Sequence, residues 1–318
     1  MYNYNKGGNM KRRLKKKPII ILVTLLVIFI TAIIITLNYI NYINSDKYKL
    51  LEAGYTEEDI VLINKKIKNI DDFLNIKYDK KTIKFIDKKY FNESNLTKYL
   101  KYYNENDYNE EEVIAIINTG NDKQIYEESK KTDINKNELM LVNKYNYLEK
   151  DYEPKGGLTK ISSMYAYGDN EVATEIYDIL KDMFKAANKD GIKLIVNSAY
   201  RDYETQVATY NYYEHNFGKQ YAIDYVAKPG FSEHQTGYVL DIFTPGETSR
   251  TFYLSDGSKW LENNAYKYGF ILRYPEGKEY LTGYNYESWH YRYVGIEAAK
   301  IIKEENLTYE EYYTYYIK

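Results

Sequence analysis

Two short stretches concentrate the residues able to do metal chemistry. In FSEHQTGYVLDI, Phe231 to Ile242, His234 precedes Asp241 by seven residues, with Gly237 between them. In YESWHYRYVG, Tyr286 to Gly295, His290 follows Glu287 by three, so these segments hold two of only three histidines in 318 residues. The chain has no cysteine, so thiolate metal sites, disulfides and cysteine nucleophiles are excluded. Any metal must therefore be held by His, Asp or Glu. Two imidazoles and one carboxylate, His234, His290 and Asp241, leave one position of a tetrahedral zinc ion open, the arrangement of catalytic zinc sites. Zinc brings the pKa of a bound water down to about 7, and Glu287 remains as general base. Neither stretch is the helical H-E-x-x-H, and spacing alone leaves structural roles for these residues equally open.

The elements around them follow from pattern. His234 falls in a Gly- and polar-rich turn, and Asp241 is expected at the end of the strand that follows. Positions 287 and 290 differ in parity and point to opposite faces of a regular strand, so a turn or bulge must bring Glu287 and His290 together. VATEIYDILKDMFKAANKDG, Val172 to Gly191, has helical spacing from Val172 onward and a glycine stop. IKLIVNSAY, from Ile192 to Tyr200, reads as a buried strand, and a helix follows from Asp202. YVLDIF and the stretch around WHYRYV are β-branched and aromatic, as strands are. Helices first and strands later indicate an α+β fold, not an alternating parallel sheet.

Upstream, KRRLKKK at Lys11 to Lys17 has six basic residues in seven and runs into an apolar stretch from Pro18 to Leu37. With no charge before Asp46, that is a transmembrane signal anchor (18–43) behind a basic cytoplasmic segment (1–17). A cleaved signal peptide is the competing reading, but no small-residue cleavage site follows. The rest of the chain then lies outside the cell. Between anchor and chemistry, 46–136 reads as a helical spacer. GYTEEDIVLI and DYNEEEVIAI share a capping residue, Thr56 or Asn109, with an acid three positions on, Asp59 or Glu112. KYDKKTIKFI, Lys77 to Ile86, is a weaker third copy. The formal charge of −2 is uneven: taking the seven basic residues before Asp46 from 44 leaves 37 against 46 acidic, a net of −9. A body that acidic is a poor binder of nucleic acid. The 41 tyrosines accompany abundant Lys, Asn and Ile and carry no function by themselves.

SEHQTGYVLD resembles the S-x-H-x-x-G-x-x-x-D signature of zinc D-alanyl-D-alanine carboxypeptidases of the VanY type, and ESWHYRYVG resembles their E-x-W-H partner. LVNKYNYLEKDYEP, SAYRDYETQ and GFILRYPEGKEYLTGY also read like that family, in its order, so the resemblance spans 138–318. It implies an α+β fold with a central antiparallel sheet and flanking helices, as in hedgehog-type domains. It also implies removal of the C-terminal D-alanine from peptidoglycan stem peptides at the cell membrane. On this resemblance His234, Asp241 and His290 bind Zn2+ and Glu287 is the base. Arg201 polarises the scissile carbonyl, while Gln206 and Ser232 hold the substrate's terminus. Without the resemblance, Arg201 reads as an ion pair with Asp202 or Glu204, Ser232 as a turn residue, and Gln206 as an exposed helix residue. His215 matches no motif and is expected on an exposed helix face. Val239 stands where the family usually has Ala, and Ser288 where Pro is common. L,D-carboxypeptidase action on tetrapeptide stems, an endopeptidase, and a non-catalytic wall-binding module are the alternatives.

Overall fold

A computed structural model of the protein describes residues 16–76 and 79–317. Residues 1–15 of the basic segment, and Lys77 and Tyr78 of the third capping copy, lie outside the described residues. The chain divides into two compact units, 1–87 and 88–318.

In the first unit the apolar stretch is one helix, α1 (Lys16–Ile43), of which 27 residues are apolar enough to cross a membrane. At 1.5 Å per residue they span about 40 Å. Helices α2 (Asp46–Glu52), α3 (Glu57–Lys66), α4 (Ile70–Leu74) and α5 (Lys80–Ile86) follow. They bury Leu50, Ile63, Phe73, Phe85 and Ile86. The capping box read in the sequence at Thr56 and Asp59 is formed, with each side chain accepting from the other's backbone N–H.

The second unit begins at Lys88, well before the spacer boundary expected near 136. Helices α6 (Leu96–Glu105) and α7 (Glu110–Thr119) belong to it. The reason is apolar packing: Ala115 and Ile116 of α7 are buried against Leu281. Tyr90 adds to this by stacking on Tyr315 at 3.8 Å. Two small ribbons come next, β1 (Lys130–Lys131) paired with β2 (Asn146–Tyr147), and β3 (Leu158–Lys160) paired with β4 (Glu171–Ala173). The helix expected from Val172 starts later, as α8 (Tyr177–Lys189). Val172 and Ala173 are instead in β4, pairing with Thr159 and Leu158, and the Ala173 N–H is taken by the Gly237 carbonyl.

The central sheet is four-stranded and antiparallel throughout. Its strands are β5 (Ile195–Ser198), β6 (Val239–Phe243), β7 (Phe270–Leu272) and β8 (His290–Tyr293), in the order β5-β6-β8-β7. The α+β reading therefore agrees with the structure. Side chains alternate across the sheet. Leu240, Ile242, Phe270 and Tyr291 join Leu180, Met183 and Phe184 of α8 in the main core. Asp241 and His290 have the opposite parity and share the other face. Between β5 and β6 run α9 (Tyr203–Phe217) and α10 (Lys219–Tyr225); α11 (Asp256–Asn264) precedes β7, and α12 (Glu279–Thr282) lies between β7 and β8. After β8 come α13 (Ile296–Glu305), α14 (Tyr309–Tyr312) and a π-helical turn, Tyr313–Ile317; Ala298, Ala299, Ile302, Tyr309 and Tyr312 pack with Ile271 and Val294.

Gly269, at the entry to β7, has φ +82°, and a Cβ there would lie 2.7 Å from the Tyr293 ring and 3.0 Å from the Gly295 backbone. Gly269→Ala should therefore cost about 1–3 kcal/mol, seen as a lower midpoint in thermal unfolding.

Candidate active site

Each candidate ligand is placed by a different local device. His234 sits in the one-turn helix Glu233–Thr236, where the Ser232 hydroxyl caps the His234 N–H at 3.3 Å. Gly237 ends that turn at φ +73°, and a Cβ there would meet the Ala173 nitrogen at 3.0 Å and Pro154 at 3.1 Å, so only glycine fits. Asp241 lies in the middle of β6, not at its end as expected from the sequence, because pairing with β5 and β8 extends the strand through Phe243. His290 opens β8 directly opposite Asp241. Directly opposed residues hold their Cβ atoms about 5 Å apart, so register alone brings these two together. The turn required for Glu287 is present: the His290 N–H donates to the Glu287 carbonyl at 3.2 Å, and the Glu287 N–H to the Tyr274 carbonyl at 3.1 Å.

The result is a buried cluster. One ligand atom from each of His234, Asp241 and His290 lies within 4.8 Å of the others. His234 Nε2 is 3.5 Å from Asp241 Oδ2, His290 Nδ1 is 3.2 Å from Asp241 Oδ1, and Glu287 Oε2 is 3.4 Å from His290 Nδ1. His234 Nδ1 is 2.5 Å from the Ala199 carbonyl oxygen. A carbonyl only accepts, so that nitrogen carries the proton and Nε2 keeps a free lone pair aimed at the cluster.

The electrostatics ask for a cation here. Burial, with the Arg201 charge second, lowers His234 to about 3, so it is neutral at physiological pH. Burial alone would raise Asp241, but His234, His290 and Arg201 hold it at about 2. His290 is the converse: burial opposes its charge, and the carboxylates of Asp241, Glu233 and Glu287 outweigh that and lift it to about 9. A proton on His290 thus occupies the place that a metal's charge would take. Asp241 Oδ1 is buried with no hydrogen-bond partner among the described residues. Two imidazoles and a carboxylate are what a zinc ion binds. Glu287 is pushed up to about 8 by burial, against the pull of His290.

The remaining expected residues are placed as follows. Arg201 stands at the junction between β5 and α9, and its backbone N–H donates to the His234 carbonyl at 3.2 Å. Its Nε is buried without a hydrogen-bond partner among the described residues, and its charge acts on Asp241 and Glu287. The alternative surface pairs are taken elsewhere: Asp202 caps α9 through the Thr205 N–H at 2.7 Å, and Glu204 pairs with Lys150 at 2.5 Å. Gln206 is buried, not exposed. Its amide donates to the Ala227 carbonyl at 2.7 Å while its Oε1 has no partner among the described residues. Ser232 is buried and serves at least as the turn cap. His215 is exposed on α9.

The sequence reading missed a layer beneath the site. Glu233, between Ser232 and His234, is wholly buried and meets Arg273 Nε at 2.9 Å and Arg292 Nη1 at 3.2 Å. Burial would raise its carboxyl, but the two arginines hold it at about 2. A signal was available: FILRYP and HYRYV each set an arginine among apolar strand residues, and a buried arginine must have an acid to meet it.

A family model described as VanY: D-alanyl-D-alanine carboxypeptidase matches residues 169–296, which include Arg201, His234, Asp241, Glu287 and His290. YodJ of Bacillus subtilis (strain 168) is 42% identical over 183 residues, 56% of this chain and 67% of that protein. The D-alanyl-D-alanine carboxypeptidase of Enterococcus faecium is 41% identical over 150 residues, 47% of this chain and only 45% of the enzyme. Among solved structures, the LdcB LD-carboxypeptidase superposes with a TM-score of 0.55 at 39% identity. That likeness covers 60% of this chain and 92% of that one.

Zinc added to chelator-stripped protein should raise its thermal midpoint, with about 2.7 kcal/mol of stabilisation at a hundredfold excess over Kd. Asp241→Asn should abolish the rise. An unchanged midpoint in the wild type would mean that the cluster takes no metal.

Proposed function

We propose that this chain, which belongs to the VanY D-alanyl-D-alanine carboxypeptidase family, is a membrane-anchored zinc metallopeptidase. In this reading it removes the C-terminal D-alanine from peptidoglycan stem pentapeptides outside the cell. The observation that carries it is the convergence of His234 Nε2, Asp241 and His290 Nδ1, with Glu287 against the same cluster. The basic run before α1 and the length of that helix support the anchored topology.

His234, Asp241 and His290 would hold the zinc ion. When bound, zinc supplies Lewis acidity to the scissile carbonyl and lowers the pKa of a water molecule. Glu287 takes the proton lost by the attacking water and returns it to the leaving amine. Its place against His290, 3.4 Å from Nδ1, suits both halves of that task, because one buried carboxyl stands beside the same cluster for both transfers. Arg201 offers a fixed cation, its Nε unpartnered among the described residues, to the oxygen on which negative charge develops. Gln206 Oε1, also unpartnered, and Ser232 are suited to hold the substrate's terminus.

Glu287→Ala should end turnover while zinc affinity is kept; normal turnover would remove Glu287 from the mechanism. Arg201→Ala should lower kcat by about 10²–10³-fold with metal retained, measured on the same synthetic stem peptide.

Likeness to LdcB favours a second reading, L,D-cleavage of tetrapeptide stems by the same residues. Full-length protein in detergent, incubated with pentapeptide and tetrapeptide stem analogues with and without chelator, separates the two by mass spectrometry. Chelator-sensitive loss of alanine from the pentapeptide alone is the expected result. Loss from the tetrapeptide moves the assignment to L,D-cleavage. Loss from neither, with zinc bound, leaves a wall-binding module.

A further inference from the structure

Helix α14 reaches the candidate metal cluster through a buried relay. Glu310 of α14 is 1% exposed and grips Arg273 with both oxygens, Nη2 to Oε1 at 2.6 Å and Nη1 to Oε2 at 2.9 Å. Asn143 donates to the same Oε1 at 3.1 Å. The third donor of that guanidinium, Nε, bonds Glu233 Oε1 at 2.9 Å, the oxygen that Arg292 Nη1 also approaches at 3.2 Å. Both arginines are wholly buried, and their Cζ atoms lie over the Tyr309 ring, 5.3 and 5.5 Å from its centroid. Glu233 is thus held by one oxygen, and its other, Oε2, is left 3.8 Å from His290 Nε2. Both of those atoms are buried and neither makes a hydrogen bond among the described residues, so at 3.8 Å each faces the other as an unsatisfied polar group that a small side-chain shift would pair.

We propose that Glu310 is a positioning residue for the metal centre, fixing Glu233 through Arg273 so that Glu233 Oε2 is the acceptor for the His290 Nε2 proton. That proton leaves His290 Nδ1, the nitrogen facing Asp241, as the metal-binding lone pair. The physical argument is charge and geometry. Two arginines and two glutamates balance to zero in a space with no exposed member, so each carboxylate has one stable arrangement. If the Glu310 charge is removed, the guanidinium has only Glu233 to neutralise it. Glu233 then turns both oxygens to Arg273 and abandons the imidazole. A ligand histidine without its carboxylate is a poorer and less well oriented base, and such losses weaken metal binding about 10–100-fold.

The inference rests on the metal reading of the site, and its test reads affinity, not turnover. Zinc affinity of the full-length protein in detergent would be measured by competition with a fluorescent chelator. Glu310→Gln, which keeps the side-chain shape, should weaken binding by about 10–100-fold, and Glu233→Gln should do the same. Because the two act in series, the double variant should bind within about twofold of Glu233→Gln alone. Glu311→Ala is the control. It removes the capping box on Thr308 that starts α14 without touching Arg273, and should leave affinity within about twofold of wild type. Should Glu310→Gln fail to fold, Arg273→Lys keeps the charge but not the fork and should show the same loss. Unchanged affinity in Glu310→Gln or Arg273→Lys, losses that multiply in the double variant, or an equal loss in Glu311→Ala would each overturn the proposal. A wild-type protein with no zinc affinity would instead sink the metal reading itself.

Discussion

The pairing of β6 with β8 is the constraint on which the site depends. Antiparallel register sets Asp241 against His290, and the same two strands expose Leu240, Ile242 and Tyr291 to the core on the opposite face. A slip of one residue would exchange the faces. The strand that slipped would turn its candidate ligand against α8 and its apolar set toward the cleft, and Asp241 and His290 would no longer share a face. The hydrophobic face that stabilises the sheet and the polar face that would bind metal are therefore specified by one alternation. The same strand pair carries Arg292 on the polar face, opposite Val239, where it meets Glu233. Register thus orders the candidate ligands and the charge layer beneath them together.

That charge layer explains how so many ionisable groups are tolerated out of water. Desolvating a single carboxylate costs several kcal/mol, and only close, hydrogen-bonded partners offset it. Here Arg273 and Arg292 serve Glu233 and Glu310, and Arg292 also donates to the Glu138 and Met140 carbonyls at 2.8 and 3.0 Å. These contacts draw segments far apart in the chain, near 138, 233, 273, 292 and 310, onto one interior. Lys144 is a second tie of this kind. It is buried beside the Tyr284 ring and donates to the Ile223 carbonyl at 2.6 Å and to the Gly283 carbonyl. Burial pulls its ammonium down to about 8, and the carbonyls it binds belong to α10 and to the loop that leads to Glu287.

Much of the site was legible because its residues come in short, punctuated groups. Scarcity did most of this: with three histidines and no cysteine, a metal site had few ways to be built. Caps were equally legible, since Thr56 with Asp59 and Asn109 with Glu112 act within a single turn. The misreadings share a cause. Val172 has helical spacing with Ile176 and Ile179, yet it lies in β4 because Thr159 and Gly237, both distant in sequence, offer its segment backbone partners. The helices α6 and α7 read as a spacer because the residues they pack on, around Leu281, lie more than 150 positions later.

What the sequence alone determined is the set of groups and their local geometry: a His in a glycine-closed turn, an Asp on an apolar strand, a Glu three residues before a His, and an apolar helix after a basic run. Those features depend on neighbours within a few residues, so spacing encodes them. Tertiary structure decided which groups meet. The opposition of Asp241 and His290, the choice of His234 Nε2 by the Ala199 carbonyl, and the grip of Glu310 on Arg273 are contacts between segments 35 to 49 residues apart or bridging separate elements. Such contacts form because a polar or charged group taken out of water must find partners in the interior, and that condition exists only once the chain has closed around it.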